Sequence, residues 1–358
     1  MALCYRITGL MSGSSLDGVD LACCEFSQGN NMWDYKIVAA DTIPYPADLK
    51  AKLEQACHHS MDHIRDLDLQ LGVFYGNLLN DFHAKYGLIP ALISSHGHTI
   101  LHEPHRGITL QAGSGKEIAR KTGIKVVNDF RREDVAQGGQ GAPLVPVGDR
   151  LLFGNYEGCL NLGGFANISY EGIEGKRIAF DVGPANMPLN WIAGLNGFDF
   201  DKDGQLARKG KVSEHLLTTL NQMNFYSEPA PKSLGREWFL NEFLPLLTQQ
   251  TLPVEDLMAT TSEHIAIQIA RGINEAQMGS LLVTGGGALN QNLIERLKHH
   301  TTAELHIPDA RLVNYKEALV FAFLGLLKMR KEINCLSSVT GGKKDLSVGI
   351  IHNYNLKI

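Results

Sequence analysis

Apolar positions along this chain follow two different periods. Ile64, Leu67, Leu71, Phe74, Leu78 and Phe82 recur every three or four residues, the spacing of one helix face, and predict a helix over 61–86. Gly72 and Gly76 interrupt it, each costing up to about 1 kcal/mol relative to Ala, so they are read as points of close packing. Gly87 stands just past the end, where a left-handed cap is common. Elsewhere the apolar runs are short. Tyr5–Met11 and Val19–Phe26 flank "SGSSLDG", which predicts a strand, a turn of small residues and a second strand. The same pattern returns about 150 residues later in "CLNLGGFANISY", followed by a third strand in "RIAFDVG". Leu92–Ile93, Lys125–Val127 and Leu281–Val283 read as short buried strands. Further helices are predicted near 211–224, 255–277 and 315–331.

Strands mixed with long helices make this an α/β protein. At 358 residues it exceeds the roughly 250–300 at which single cores stop growing, so two domains are expected. Because each half opens on a hairpin with a glycine-rich turn, the expected architecture is two duplicated halves with a cleft between them. The division is set at 1–130 for the first half and 131–339 for the second. A tail of about 340–358 is expected to return to the first half, and "AQGGQGAP", Ala136–Pro143, is read as the crossing.

Composition narrows the function classes. The chain is 44% hydrophobic and 20% charged, ordinary for a globular protein. Its net charge of −5 is too small and of the wrong sign for a nucleic-acid surface. No apolar stretch approaches the ~18 residues of a membrane span, and "MALCYRITGL" lacks a secretory signal pattern. The six cysteines form no Cys-x-x-Cys pair, so reduced thiols in a cytoplasmic enzyme are expected. The oligomeric state is left open, a homodimer included.

Several stretches carry candidate chemistry. "SGSSLDG" is a turn whose backbone N–H groups could converge on an anion, with Ser12, Ser14 and Ser15 adding hydroxyls. Asp17 would repel a bare phosphate, and makes sense if Mg²⁺ or its water shell stands between; a solvated hairpin turn is the plain alternative. The strand–GGG–helix unit at 281–290 could hold a nucleotide, although it does not match the Rossmann spacing. "GSGKE", Gly113–Glu117, lacks the first glycine and the final Ser/Thr of a P-loop. His96, His98, His102 and His105 lie within ten residues but without a zinc-site pattern; contact with a substrate or phosphate is the better reading. "IAFDVGPAN" places Asp181 at a strand's C-terminal end, where open α/β sheets bind ligands and a general base could act; the alternative is an Asp that organises its own turn. "VVNDFRREDVA" repeats that geometry with Asp129 and Arg131, the latter suited to clamp a carboxylate or phosphate. "KSLGREWF" reads as an anion-binding loop or a helix start. Glu317 reads as a first-turn acid of a helix.

Together "GLMSGSSLDGVD", "SHGHTILHEP", "TGIKVVNDFRREDVAQGGQGAPLVP", "NLGGFANIS", "FDVGPAN", "KSLGREWF", "VTGGGALNQNLI" and "KEALVFAFLG" resemble the anhydro-N-acetylmuramic acid kinases, a family of the sugar kinase/Hsp70/actin superfamily. The resemblance runs over nearly the whole chain. It implies an actin-like, ribonuclease H-like sugar kinase fold and an ATP- and Mg²⁺-dependent enzyme of cell-wall recycling. Such an enzyme opens the 1,6-anhydro bridge of its small-molecule sugar with water and phosphorylates the 6-hydroxyl. By motif, Ser12, Gly13, Ser14, Ser15, Leu16, Asp17, Gly18 and Val19 would form the first phosphate loop, with Asp17 serving the metal through water. Gly163, Gly164 and Asn167 would form the second loop. Gly285, Gly286, Gly287 and Asn290 would take the adenosine region. Asp181 would be the catalytic base, and His96, His98, Asp129, Arg131 and Glu317 would face the sugar. The chain departs from the family pattern at Ser14, His98, Val182, Ala185 and Leu234. A hexose kinase of the same superfamily and a non-catalytic nucleotide switch are the rival readings.

Overall fold

The structure, a computed structural model, describes residues 3–13, 16–29 and 32–354. The chain divides into two compact units, Met1–Leu152 with Tyr315–Ile358, and Phe153–Asn314. These boundaries differ from the 130/131 and 339/340 expected. Residues 131–152 and, from Tyr315 onward, the helix Ala310–Arg330 carry apolar and small residues that pack into the first unit. Gly148 lies against Val320, where a Cβ would stand 2.5 Å from a side-chain methyl, and Gly9 of the first strand lies under the Ala318 carbonyl. "AQGGQGAP" is therefore a loop inside the first unit. Asp134 pins it by accepting from the Gly141 N–H at 2.7 Å.

In the first unit β1 (Cys4–Ser12), β2 (Val19–Gly29) and β3 (Met32–Ile43) form an antiparallel meander. β4 (Leu92–Glu103) runs parallel to β1, β5 (Ile108–Ala112) folds back on β4, and β6 (Val126–Asn128) extends the sheet parallel to β4. The sheet is seven-stranded, closed at its edge by the late strand Ile350–His352 in the order late strand, β6, β4, β1, β2, β3. The second unit has a five-stranded sheet of β7 (Gly158–Leu162), β8 (Phe165–Glu171), β9 (Arg177–Pro184), β10 (Ser280–Thr284) and β11 (Glu304–His306). Its order, β11-β10-β7-β8-β9, repeats that of β6-β4-β1-β2-β3 with the same parallel and antiparallel senses. The duplication foreseen from the hairpins is thus a duplication of strand order. We label the late strand β12.

The helix Met61–Tyr86 forms as its period predicts. Ser60 caps its start, and Gly87, at φ 62°, caps its end. Its buried face adds Tyr75 and Leu79 to Ile64, Leu67, Leu71 and Phe82. Gly72 and Gly76 meet the helix Gly115–Thr122, where added Cβ atoms would approach Ser114 and Lys121 within 2.8 and 2.5 Å. In the second unit the helix Val254–Glu275 lies on the sheet, and Gly272 admits Val182 of β9.

β4 is longer than the run Leu92–Ile93 that predicted it and continues through "SHGHTILHE", and β3 was not foreseen. The later part of β4 mixes Ile100 and Leu101, which pack into the core, with histidines held by polar partners, Arg131, Ser12 and Thr109, so it carries no single apolar period. Among the described residues no helix is long and apolar enough to cross a membrane.

Candidate active site

Each unit presents the C-terminal ends of its central parallel strands, where open α/β sheets gather ligands. In the first unit β1 ends on Ser12, which is buried. Its Oγ lies 2.9 Å from His98 Nδ1 on β4 and 2.7 Å from the Tyr45 hydroxyl, which in turn lies 2.7 Å from the Tyr75 hydroxyl. Ser12 therefore joins the start of the glycine-serine turn directly to His98 on β4, and two tyrosines that no sequence pattern signalled extend the hydrogen-bonded chain from its other side. Burial lowers His98 to about 4, so its ring is neutral at physiological pH.

Beyond Ser12 the chain turns tightly. The Leu16 N–H donates to the Gly13 carbonyl at 3.3 Å, and Leu16 takes φ 55°. Gly18 fits under the Ile43 carbonyl, 2.8 Å from where a Cβ would stand. Asp17 is exposed at the tip, and Val19 is buried as β2 begins. Ser14 and Ser15 lie outside the described residues. Asp20, one residue on, was missed from the sequence. Its carboxyl accepts from Thr42 Oγ1 at 2.6 Å and is pushed up by burial.

His96, two residues before His98 on β4, is buried. Its Nε2 meets Arg131 Nε at 3.0 Å and Nη2 at 2.8 Å, and its Nδ1 meets the Gly97 carbonyl at 3.0 Å. Arg131 Nη1 also donates to the Gly141 carbonyl at 2.8 Å. Loss of solvation lowers Arg131 to about 10, and the Glu317 carboxylate opposes that effect. Glu317 itself reaches solvent, yet crowding around its carboxyl pushes it above its ordinary value, against the pull of Arg131 and with the push of Asp20. Glu317, Arg131 and Asp20 are thus electrostatic neighbours despite their distance in sequence. Asp129, at φ 59°, turns to an ion pair with Arg132. It lines a cavity of about 310 Å³ with Asp68, Gln111, Asn128 and His352.

In the second unit Asp181 stands near the end of β9, opposite Asn167 on β8. Its Oδ2 accepts from the Leu234 N–H at 2.7 Å, and its own N–H donates to the Lys232 carbonyl at 3.0 Å. "KSLG" is therefore the clamp that holds this carboxylate, while Lys232 Nζ turns away to the Phe225 carbonyl. Burial pushes Asp181 up to about 6, and the Leu234 N–H draws it partly back. Behind the strand, a Cβ at Gly183 would stand 3.4 Å from the Tyr226 ring. The Tyr226 hydroxyl lies 2.7 Å from His264 Nε2, and His264 Nδ1 lies 2.7 Å from Asn221 Oδ1. This buried relay also went unsignalled by the sequence.

The glycine turns of the second unit converge. The Gly163 and Gly164 carbonyls accept the N–H groups of Asn186 and Ala185 at the start of the helix Asn186–Gly194. Gly285 takes φ 82° against Asn161 and Leu162, and Gly287 packs on Leu162 and Asn186. Asn290 caps the helix Gln291–His300 by accepting from the Leu293 N–H at 3.1 Å.

The two sheets thus share one strand order, and a clamped carboxylate, Asp181, stands near the end of β9 in the second unit. The family model of anhydro-N-acetylmuramic acid kinase matches residues 5–354. The chain is 36% identical over 374 residues to the anhydro-N-acetylmuramic acid kinase of Haemophilus influenzae, covering 96% of each protein. It is 37% identical over 368 residues to that of Pasteurella multocida, again over 96% of each. The chain belongs to this family, and with it is a kinase, a phosphotransferase acting on a hydroxyl group. Solved structures are more distant. The activator of the 2-hydroxyisocaproyl-CoA dehydratase from Clostridium difficile matches at 12% identity, over 91% of this chain and 96% of that one, with a TM-score of 0.45. That score is too low to bear on function.

Proposed function

We propose that this kinase opens the 1,6-anhydro bridge of 1,6-anhydro-N-acetylmuramic acid with water and transfers the γ-phosphoryl group of ATP to the 6-oxygen. The products are N-acetylmuramic acid 6-phosphate and ADP, and the setting is cell-wall recycling in the cytoplasm. Asp181 takes a proton from water as the water oxygen bonds to the anomeric carbon. The bond from that carbon to the bridging 6-oxygen breaks, and the 6-oxygen becomes the phosphoryl acceptor. The protein's work is positioning, one base and charge stabilisation.

The observation that carries this reading is the state of Asp181. It is a carboxyl brought to about 6 by burial and fixed by the Leu234 N–H, and a base near the working pH is the efficient one. Ser12–Val19 and Gly163–Asn167 are assigned to the phosphates, and Gly285–Gly287 with Asn290 to the adenosine. Asp17 suits Mg²⁺, which binds through one or two carboxylates and keeps much of its water; its exposed carboxylate on a turn of small residues fits that demand. The ion would supply neutralisation of the phosphate charge. His98, Asp129, Arg131 and Glu317 are assigned to the sugar side.

The test is a product assay with ATP, Mg²⁺ and the anhydro-sugar in ¹⁸O-labelled water. One label at the anomeric hydroxyl and none in the phosphate is expected. An unlabelled sugar phosphate would overturn the reading. So would phosphorylation of hexoses with a free 6-hydroxyl while the anhydro-sugar is untouched.

A further inference from the structure

His96 uses both ring nitrogens inside the protein. The Gly97 carbonyl can only accept, so Nδ1 carries the proton. The Arg131 nitrogens can only donate, so Nε2 is bare. The tautomer follows from these partners. The ring is buried and lies tilted against Phe321, with centroids 4.6 Å apart. Loss of solvation and the Arg131 charge both hold it neutral. The opposite side of Arg131 is fixed as well. Nη1 donates to the Gly141 carbonyl, and the Gly141 N–H donates to Asp134, which is fully buried and also accepts from Thr340 Oγ1 at 2.9 Å. Gly141 stands at φ 66°, with Val135 2.7 Å from where a Cβ would be, so its loop has little freedom.

A guanidinium has five N–H donors. Three are engaged, on Nε, Nη2 and Nη1, and one hydrogen remains on each terminal nitrogen. That pair suits two-point recognition of an oxyanion.

We propose that His96 is a positioning residue: its bare Nε2 receives Arg131 side-on and holds the remaining edge of the guanidinium for the carboxylate of the sugar acid. His96 itself does not touch the sugar. The inference rests on the reading, made above, that Arg131 faces the sugar.

The test measures sugar affinity by calorimetry without nucleotide, together with KM for each substrate, in His96→Gln, His96→Leu, Arg131→Ala and the double variant His96→Leu/Arg131→Ala. His96→Leu removes the acceptor and should weaken sugar binding by roughly ten- to a hundredfold, the range for one hydrogen bond to a charged group. KM for ATP should stay within about threefold. Gln offers an amide oxygen near the Nε2 position, so His96→Gln should recover most of the loss. In the Arg131→Ala background His96→Leu should add nothing, as expected of two residues acting as one unit. Equal sugar affinity in wild type and His96→Leu would overturn the proposal. An equal loss in His96→Gln and His96→Leu, an undiminished loss in the double variant, or an effect confined to ATP would do the same. The ring is also assigned directly by nitrogen NMR of the wild type. A proton on Nε2 overturns the positioning argument whatever the variants do, which keeps it testable if His96→Leu fails to fold. If Arg131→Ala binds the sugar normally, the assignment of Arg131 to the sugar fails and the proposal with it, while a ¹⁸O result as expected would leave the overall reaction standing.

Discussion

Asp181→Asn separates catalysis from folding because the two should move in opposite directions. The amide keeps an oxygen to accept the Leu234 N–H, so the 232–235 clamp stays closed, while the basicity is removed. General-base help is typically worth 10²–10⁴-fold, and kcat should fall within or beyond that range, since bridge opening also creates the phosphoryl acceptor. Stability should not fall. The wild-type carboxyl moves from an ordinary 3.8 to about 6 on folding, so the folded state binds the proton more tightly than the unfolded one. The stability tied to that proton is fully present below pH 4 and is lost as pH rises through about 6. At 1.36 kcal/mol per pH unit the difference comes to about 3 kcal/mol at pH 8. The Asn variant does not titrate, so relative to wild type it should gain up to that amount at pH 8 and little at pH 4. In the wild type, kcat should rise with pH through about 6 as the base form appears. The assays are ADP release with product identification by mass, and urea melts at pH 4.5 and 8. A variant within tenfold of wild-type turnover would refute the role, as would one that opens the bridge at a normal rate but no longer phosphorylates. A loss of more than about 1 kcal/mol at pH 8 would refute the electrostatic argument.

Three further outcomes are expected. Gly285→Ala places a side chain at φ 82° and ψ 160°, a region that is essentially glycine-only and costs about 1–3 kcal/mol; thermal melts should show that loss, and KM for ATP should rise more than KM for the sugar. The Lys316–Asp149 pair is 2.7 Å long and nearly inaccessible. Lys316→Met should therefore cost about 3–5 kcal/mol by stranding a buried carboxylate, and Lys316→Met/Asp149→Leu should recover most of it in denaturant titration. Asp17→Asn should lower turnover much more than ADP affinity, and unchanged turnover at saturating Mg²⁺ would rule out its metal role.

Much of the local structure was legible in the chain. The period of Ile64–Phe82, with Gly87 beyond it, marks a helix because one face must be buried and its end needs a left-handed residue. The two hairpins, and Asp181 before Gly183-Pro184, are likewise matters of neighbours in sequence. The motif resemblance added the family. The limits of β4 were not legible, because in its second half histidines held by polar partners stand among the core residues Ile100 and Leu101 and leave no single period. Nor were the unit boundaries, since the packing of Gly148 on Val320 joins residues far apart in the chain.

The candidate site divides in the same way. Its residue types stand in the sequence: His96, His98, Arg131, Asp181 and the glycine turns. Their states do not. The sequence offered His96 as a sugar ligand, but its Nε2 is taken up 35 positions away by Arg131 and its Nδ1 by the Gly97 carbonyl. It offered Ser12 as a phosphate donor, and the fold joins it to His98 and Tyr45. It left Asp181 open between a base and a turn-former, and burial beneath the 232–235 loop brings it to about 6. By itself the sequence determined the long helix, the two hairpins, the duplication and the family, because propensity, period and motif act over short stretches of chain. The tertiary structure alone decided which polar atoms meet and how far each is removed from water, because hydrogen bonds and desolvation depend on groups that only folding brings together.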